Sequence, residues 1–179
     1  SAERVLTGSE ADRVAGMQES VLSHPVLGRF VKAHGRCELS VFAKDPETGV
    51  LVKCRFDKLL DAKLAIDVKK TQDLRDFGKS VANYGYHMQA AFYTDVWKWA
   101  TGEDLDGFMF AAVEEQMPHA SAMITLDDEA MDIGRMEYRK ALNTYAECFE
   151  RDEWNGIYQE LAPVQLPSWY INQFENESE

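Results

Sequence analysis

A mixed β-sheet flanked by helices, folded as one α/β domain, is the architecture this sequence predicts, and three observations carry the prediction. Two β-branched, alternating runs, 36–44 and 50–59, surround the turn DPETG at 45–49, which is the pattern of a β-hairpin. A third strand, LAIDVKK at 64–70, is followed by apolar and aromatic residues at spacings of three and four through Thr101, the period of helices. Two further apolar runs, GFMFAAVEE at 107–115 and ASAMITL at 120–126, precede a long helical pattern over 127–154. Strands interleaved with helices in this order pack as a sheet with helical layers.

The chain opens with helix over 9–23, where Ser9 is a plausible cap and Val14, Met17, Val21 and Leu22 share a face. Pro25 starts a second short helix carrying Leu27, Phe30 and Val31. After the hairpin and third strand, Gly85 divides the next helical stretch into 72–83 and 85–101, and Gly102 ends it. Asp127 caps the long helix. Pro163 and Pro167 bracket a loop before a final helical turn at SWYINQF, and residues 1–8 and 175–179 are expected to fray. With 179 residues, 45% apolar and 28% charged, the chain suits a single soluble domain spanning 1–179.

Composition excludes several classes. No apolar run reaches the roughly 18 residues that span a bilayer, and charges run through the first twenty positions, so the expected location is cytoplasmic and no membrane partner is expected. Cys37, Cys54 and Cys148 form an odd set without CxxC spacing, which argues against a disulfide framework or a zinc ribbon and for reduced packing residues. The net charge of −12 points away from nonspecific nucleic-acid binding unless a local basic strip or bound cations reverse the field. Lys53, Arg55, Lys58, Lys63, Lys69, Lys70, Arg75 and Lys79 supply such a strip.

Within that strip, KCRFD at 53–57 precedes IDVK at 66–69. Residues two apart on a strand share a face, so Asp67 and Lys69 project together while Ile66 and Val68 pack on the opposite, buried side; Arg55 and Asp57 pair likewise. Carboxylates among apolar alternates must be solvated, paired or metal-bound. Two or three of them with water suit hard Mg²⁺, with Mn²⁺ as a substitute, and a lysine beside them serves a nucleophilic water rather than the metal. Glu38, on the first hairpin strand, is a further candidate acid. On the following helix Gln89 and Tyr93 are four apart and Tyr86 precedes Gln89 by three, so an amide and two phenols share a face able to orient substrate. His87 is expected to be a polar helix residue, and Phe92, Tyr93, Trp97 and Trp99 to be core or subunit interface.

Hairpin, acid-x-lysine strand and Gln-x-x-x-Tyr helix, in that order, resemble PD-(D/E)xK nucleases of the RecB-like branch. The run KDPETGVLVKCRFDKL, AIDVKKTQDL and FGKSVANYGYHMQAAFYTD is similar to the C-terminal nuclease domain of the exonuclease VIII (RecE) family of phages and prophages. The resemblance covers roughly 10–155 and is strongest over 36–95. It implies a restriction-endonuclease-like core in which Asp57 and Asp67, with the Val68 carbonyl, hold the metal, Lys69 is the catalytic lysine and Glu38 an accompanying acid. Gln89, Tyr93, Tyr86, Arg55 and Lys70 would contact substrate. It further implies Mg²⁺-dependent, 5′ to 3′ digestion of linear double-stranded DNA from its ends, a toroidal tetramer and a single-strand-annealing recombinase partner.

The departures are Phe56 where relatives carry proline, Lys70 where they often carry threonine, and no upstream histidine ligand in the context that would supply one; His24, His34, His87 and His119 lie elsewhere. Either the chain is a fragment or a second metal ligand is missing. The rival expectation is a noncatalytic DNA-end or recombinase-binding domain that keeps the nuclease fold.

Overall fold

The computed structural model describes residues 6–156 and 163–175, so of the expected fraying of 1–8 and 175–179 the stretches 1–5 and 176–179 lie outside the described residues, while Gly8 and Glu175 lie in helices. The chain divides into two compact units, 1–146 and 147–179. The first holds helices α1 (Gly8–Ser23) and α2 (Leu27–Lys32), strands β1 (Gly35–Lys44), β2 (Leu51–Leu60) and β3 (Leu64–Thr71), and helices α3 (Phe77–Tyr84) and α4 (Tyr86–Thr101). Strands β4 (Gly107–Glu114) and β5 (Ser121–Thr125) follow, then α5 (Asp128–Arg151), which runs on into the second unit; that unit also contains α6 (Ser168–Glu175). Among the described residues no helix is long and apolar enough to cross a membrane.

Local chemistry sets the helix boundaries. Thr7, not Ser9, caps α1: its side chain accepts from the Glu10 N–H while the Glu10 carboxylate accepts from the Thr7 N–H at 2.9 Å. This capping box was open to sequence reading as Thr-x-x-Glu. His24 starts α2 by accepting the N–H groups of Val26 and Leu27 on Nδ1. Gly85, at φ +65°, ends α3 by donating to Val81 and opens α4. Only a residue at ease in the left-handed region can serve both ends. Asp127 caps α5 through the Ala130 N–H, as expected.

The sheet runs β1-β2-β3-β4-β5, antiparallel throughout except for the parallel β3–β4 pair. The parallel pair requires a crossover, which α3 and α4 supply. Strand β4 is buried along most of its length, so its near-continuous apolar reading follows from having helices on both faces. On one face α4 covers Val52, Cys54, Phe56, Leu59 and Ala65, and farther along Phe77 of α3 and Ala90 of α4 cover Phe110 and Ala112. On the other, Leu27 of α2 closes over Leu60, Ile66 and Ala111. Cys54 packs in the first of these clusters, and burial pushes its thiol up to about 12. Cys37 is exposed, which corrects the expectation that all three cysteines are packing residues.

Two irregularities place the site. Strands β2 and β3 pair only at Lys58↔Ile66 and Leu59↔Ala65, after which β3 continues beside β4 alone and a cleft opens between β2 and β3. Opposite Asp57, Glu38 takes φ +53° and drops out of the otherwise regular β1–β2 ladder. Phe56 and Leu59 then lie in one cluster although three residues apart, so face alternation breaks at Asp57–Lys58.

The splay also corrects the sequence reading of Val68. Ile66 is buried as expected, but Val68 is 54% exposed, because no neighbouring strand or helix closes over it where β2 has diverged.

Helix α5 crosses α4 closely at Gly134, where an added Cβ would stand 2.4 Å from the His87 carbonyl oxygen. Gly134→Ala is therefore expected to destabilise the protein by about 1–3 kcal/mol despite the better helix propensity of alanine. Urea denaturation measures this, and an unchanged midpoint would show that the two helices can separate freely.

Candidate active site

At the end of the cleft, the side chains of Asp67, Lys69 and Gln89 close a triangle. Asp67 and Lys69 are two apart on β3 and therefore share a face, while Gln89 lies on the first turn of α4 above them. Gln89 Nε2 donates to Asp67 Oδ1 at 2.6 Å, and Lys69 Nζ donates to Gln89 Oε1 at 2.9 Å. The third side is the ion pair between Lys69 Nζ and Asp67 Oδ2, 2.6 Å apart. The amide thus orients both charged groups with its two ends.

Aromatic walls surround the lysine. Its ammonium lies 4.5 Å from the Tyr86 ring centroid and 5.9 Å from that of Phe110. Phe110 sits beside Asp67 in the β3–β4 register, a placement that sequence spacing gives no means of finding. Asp57 reaches across the splay from β2, accepting the Val68 N–H on Oδ2 at 2.9 Å. One of its oxygens therefore fixes the cleft while the carboxylate stays beside Asp67.

Burial and the Lys69 ammonium set the electrostatics of the site. Burial pushes the Asp67 carboxyl above its ordinary range; the Lys69 ammonium and the Gln89 amide pull it back, and the Asp57 charge adds to the rise. Asp67 is 4% exposed, and Oδ2 makes no regularly angled hydrogen bond, its contact with Lys69 being an ion pair only. With the Lys69 ammonium already 2.6 Å from Oδ2, a metal ion at that oxygen would share it with the lysine. Among the described residues no three His, Cys, Asp or Glu side chains gather closely enough to enclose a metal. Asp57 and Asp67 are the two carboxylates at the splay, and an ion such as Mg²⁺ would find in them only one or two protein ligands and keep several waters.

The other candidate residues are placed differently. Glu38 pairs with Arg55 at 3.1 Å, both well exposed, and among the described residues no hydrogen bond or ion pair links either to the triangle. The positive φ at Glu38 and the break in alternation account for this. Lys70 faces away from Lys69 and pairs at 2.9 Å with Glu115, which Arg13 of α1 also holds. Tyr93 packs edge-on against Phe56, 5.4 Å between centroids, and lines a groove that continues to Gln89. Phe92, Trp97 and Trp99 are core, as expected. His87 is a buried polar helix residue whose Nε2 lies 2.9 Å from Glu137 and whose Nδ1 contacts the Val81 carbonyl.

A splayed hairpin, two aspartates at its fork and a lysine two residues beyond the second are the parts of a PD-(D/E)xK core, and residues 3–160 match the PDDEXK-like domain of unknown function DUF3799. The chain belongs to the PDDEXK-like family. No curated protein matches it. Among solved structures it is similar to a candidate exonuclease from Eubacterium rectale, with a TM-score of 0.70 and 14% identity over 96% of this chain and 68% of that one. It is also similar to a phage-related exonuclease from Haemophilus somnus, with a TM-score of 0.46 and 14% identity over 84% of this chain and 76% of that one. The first likeness bears out the PDDEXK-like fold over nearly the whole chain.

Proposed function

We propose that this PDDEXK-like domain is a Mg²⁺-dependent deoxyribonuclease that digests linear double-stranded DNA from its ends. The observation that carries the reading is the Asp67–Lys69–Gln89 triangle at the fork from which Asp57 projects. Asp57 and Asp67, with the Val68 carbonyl, would hold Mg²⁺ or, in its place, Mn²⁺. A bound ion supplies Lewis acidity and lowers the pKa of its water.

The remaining work falls to the chain. Gln89 holds the Asp67 carboxylate and the Lys69 ammonium with the two ends of its amide, so both charged groups are oriented before substrate arrives. Lys69 would hold the attacking water and stabilise charge gathering on the phosphoryl oxygens. Tyr86 and Phe110 keep bulk water from that ammonium. The proposed 5′ to 3′ direction, homologous-recombination role, tetrameric ring and annealing partner rest on the family resemblance.

The absence of a three-ligand cluster among the described residues favours one rival, a DNA-end-binding domain without catalysis. Digestion of 5′-labelled linear duplex against a closed circle, with Mg²⁺ or EDTA, separates the two. Mg²⁺-dependent loss of the linear form alone is expected. Binding to ends without cleavage would establish the rival, and cutting of the circle would remove the end requirement.

A further inference from the structure

The tyrosine that ends α3 has a position that core packing does not explain. Tyr84 is 71% exposed, yet its ring stacks on Tyr86 at 5.6 Å between centroids and 28° between planes. Tyr86 in turn lies under the Lys69 ammonium. An aromatic ladder therefore leads from the proposed catalytic lysine to solvent. Gly85, between the two tyrosines, provides the left-handed turn that separates their helices.

Tyr84 also lines two hollows of opposite character. One, of about 670 Å³, is walled by Met88, Phe92, Tyr93 and Leu142 and shares Gln89 with the triangle. The other, of about 450 Å³, is polar, lined by Lys70, Gln72, Lys79, Ser80 and Asn83, by the carboxylates of Asp73 and Asp76, and by Tyr86. An apolar, aromatic hollow suits the face of a nucleobase and offers little to a phosphate, whereas the polar hollow offers the Ser80 hydroxyl and the Asn83 amide to sugar and phosphate oxygens, its Lys70, Gln72 and Lys79 being held by Glu115 and Asp76. The divide between them is the exposed tyrosine.

We propose that Tyr84 is a stacking platform for an unpaired nucleobase of the strand being cut, with that base in the apolar hollow and its backbone along the polar one. The proposal rests on the nuclease reading of the Asp67–Lys69 site and names its substrate more narrowly: a single-stranded or frayed end rather than a fully stacked duplex. A base inside a duplex has both faces covered by its neighbours and has none to offer the ring. Stacking of this kind is tolerant of sequence, since every base has a π-face.

The test is equilibrium binding in EDTA of a short single strand carrying 2-aminopurine near its 5′ end, read by quenching of the fluorophore, beside a separate Mg²⁺ cleavage assay. The unaltered protein is expected to quench the probe. Tyr84→Ala is expected to lose the quench and weaken binding by about tenfold, the scale of one base–aromatic stack, while Tyr84→Phe and Tyr84→Trp retain both. An abasic site at the probe position should weaken binding to the unaltered protein as much as Tyr84→Ala does.

Absence of quenching by the unaltered protein, or equal quenching by Tyr84→Ala, overturns the proposal whatever the cleavage assay gives. Quenching that depends on Tyr84 without any cleavage supports the platform and removes the nuclease reading instead. Because the Tyr84 side chain is exposed, circular dichroism of Tyr84→Ala should match the parent, and Tyr84→Phe guards against a folding artefact.

Discussion

Asp67→Asn is expected to lower Mg²⁺-dependent cleavage by about 10³-fold or more, the scale on which removing a central electrostatic group acts on rate, while leaving the fold in place. The substitution conserves shape and keeps an oxygen for the Gln89 amide, but it removes the negative charge that would compete for a cation and hold Lys69. Its effect on stability follows from the sign of the pKa shift. A carboxyl raised by burial binds its proton more tightly folded than unfolded, so its ionised form costs stability at neutral pH, and the cost disappears as pH falls through the raised pKa. Removing the charge relieves that cost but leaves Lys69 with only Gln89 and the Tyr86 face. The two changes oppose each other, and chemical denaturation in EDTA should move by no more than about 1 kcal/mol. Lys69→Met should match the loss of activity. A variant that loses several kcal/mol and activity together would show that the triangle is chiefly structural, and one that keeps cleaving would remove Asp67 from the chemistry.

The parts of this site differ in how far sequence reaches them. Asp67, Lys69 and Gln89 were legible because each lies on an element whose period is local: two residues apart on a strand, and on one face of the following helix. The turn that closes the hairpin was legible for the same reason, since Asp45, Pro46 and Gly49 carry their own backbone preferences. The side of β3 on which Val68 lies was not legible as exposed, because alternation says only that Val68 opposes Asp67. Whether that side is covered depends on where β2 stops pairing, a property of register between distant residues. Glu38 lies apart from the triangle, paired with Arg55, where its positive φ interrupts the strand opposite Asp57, which no composition or spacing announces. Lys70 is drawn away by Glu115 on a loop 45 positions later in the chain, again a long-range partnership.

The largest expected loss of stability lies away from the site, at Arg139. This residue of α5 donates from Nη1 to Asp45 Oδ2 at 2.7 Å and from Nη2 to Oδ1 at 2.8 Å, a bidentate pair that ties the hairpin turn to the helix. Asp45 is 1% exposed and also accepts from the Thr48 N–H at 2.9 Å. Burial alone would raise its carboxyl, but the hydrogen bonds from Arg139 and Thr48 outweigh burial and hold it at about 2, against an ordinary 3.8. A depressed folded-state pKa contributes stability that is fully present above the unfolded value and is lost as pH falls toward the folded one, here between about pH 5 and 2 and on the order of 2 kcal/mol. Arg139→Ala should cost more at neutral pH, about 3–5 kcal/mol, because it leaves a dehydrated carboxylate without its counter-charge. With the guanidinium gone, burial dominates and the Asp45 carboxyl should rise, so the penalty should shrink as the medium is acidified toward pH 4 and the carboxyl takes up a proton. Adding Asp45→Asn to Arg139→Ala should recover part of the loss at neutral pH, since the amide oxygen still accepts from Thr48 and carries no charge. Urea denaturation of the single and double variants at pH 7 and pH 4 checks all three statements. A cost below about 1 kcal/mol at pH 7, or one independent of pH, would mean that water reaches the pair and screens it.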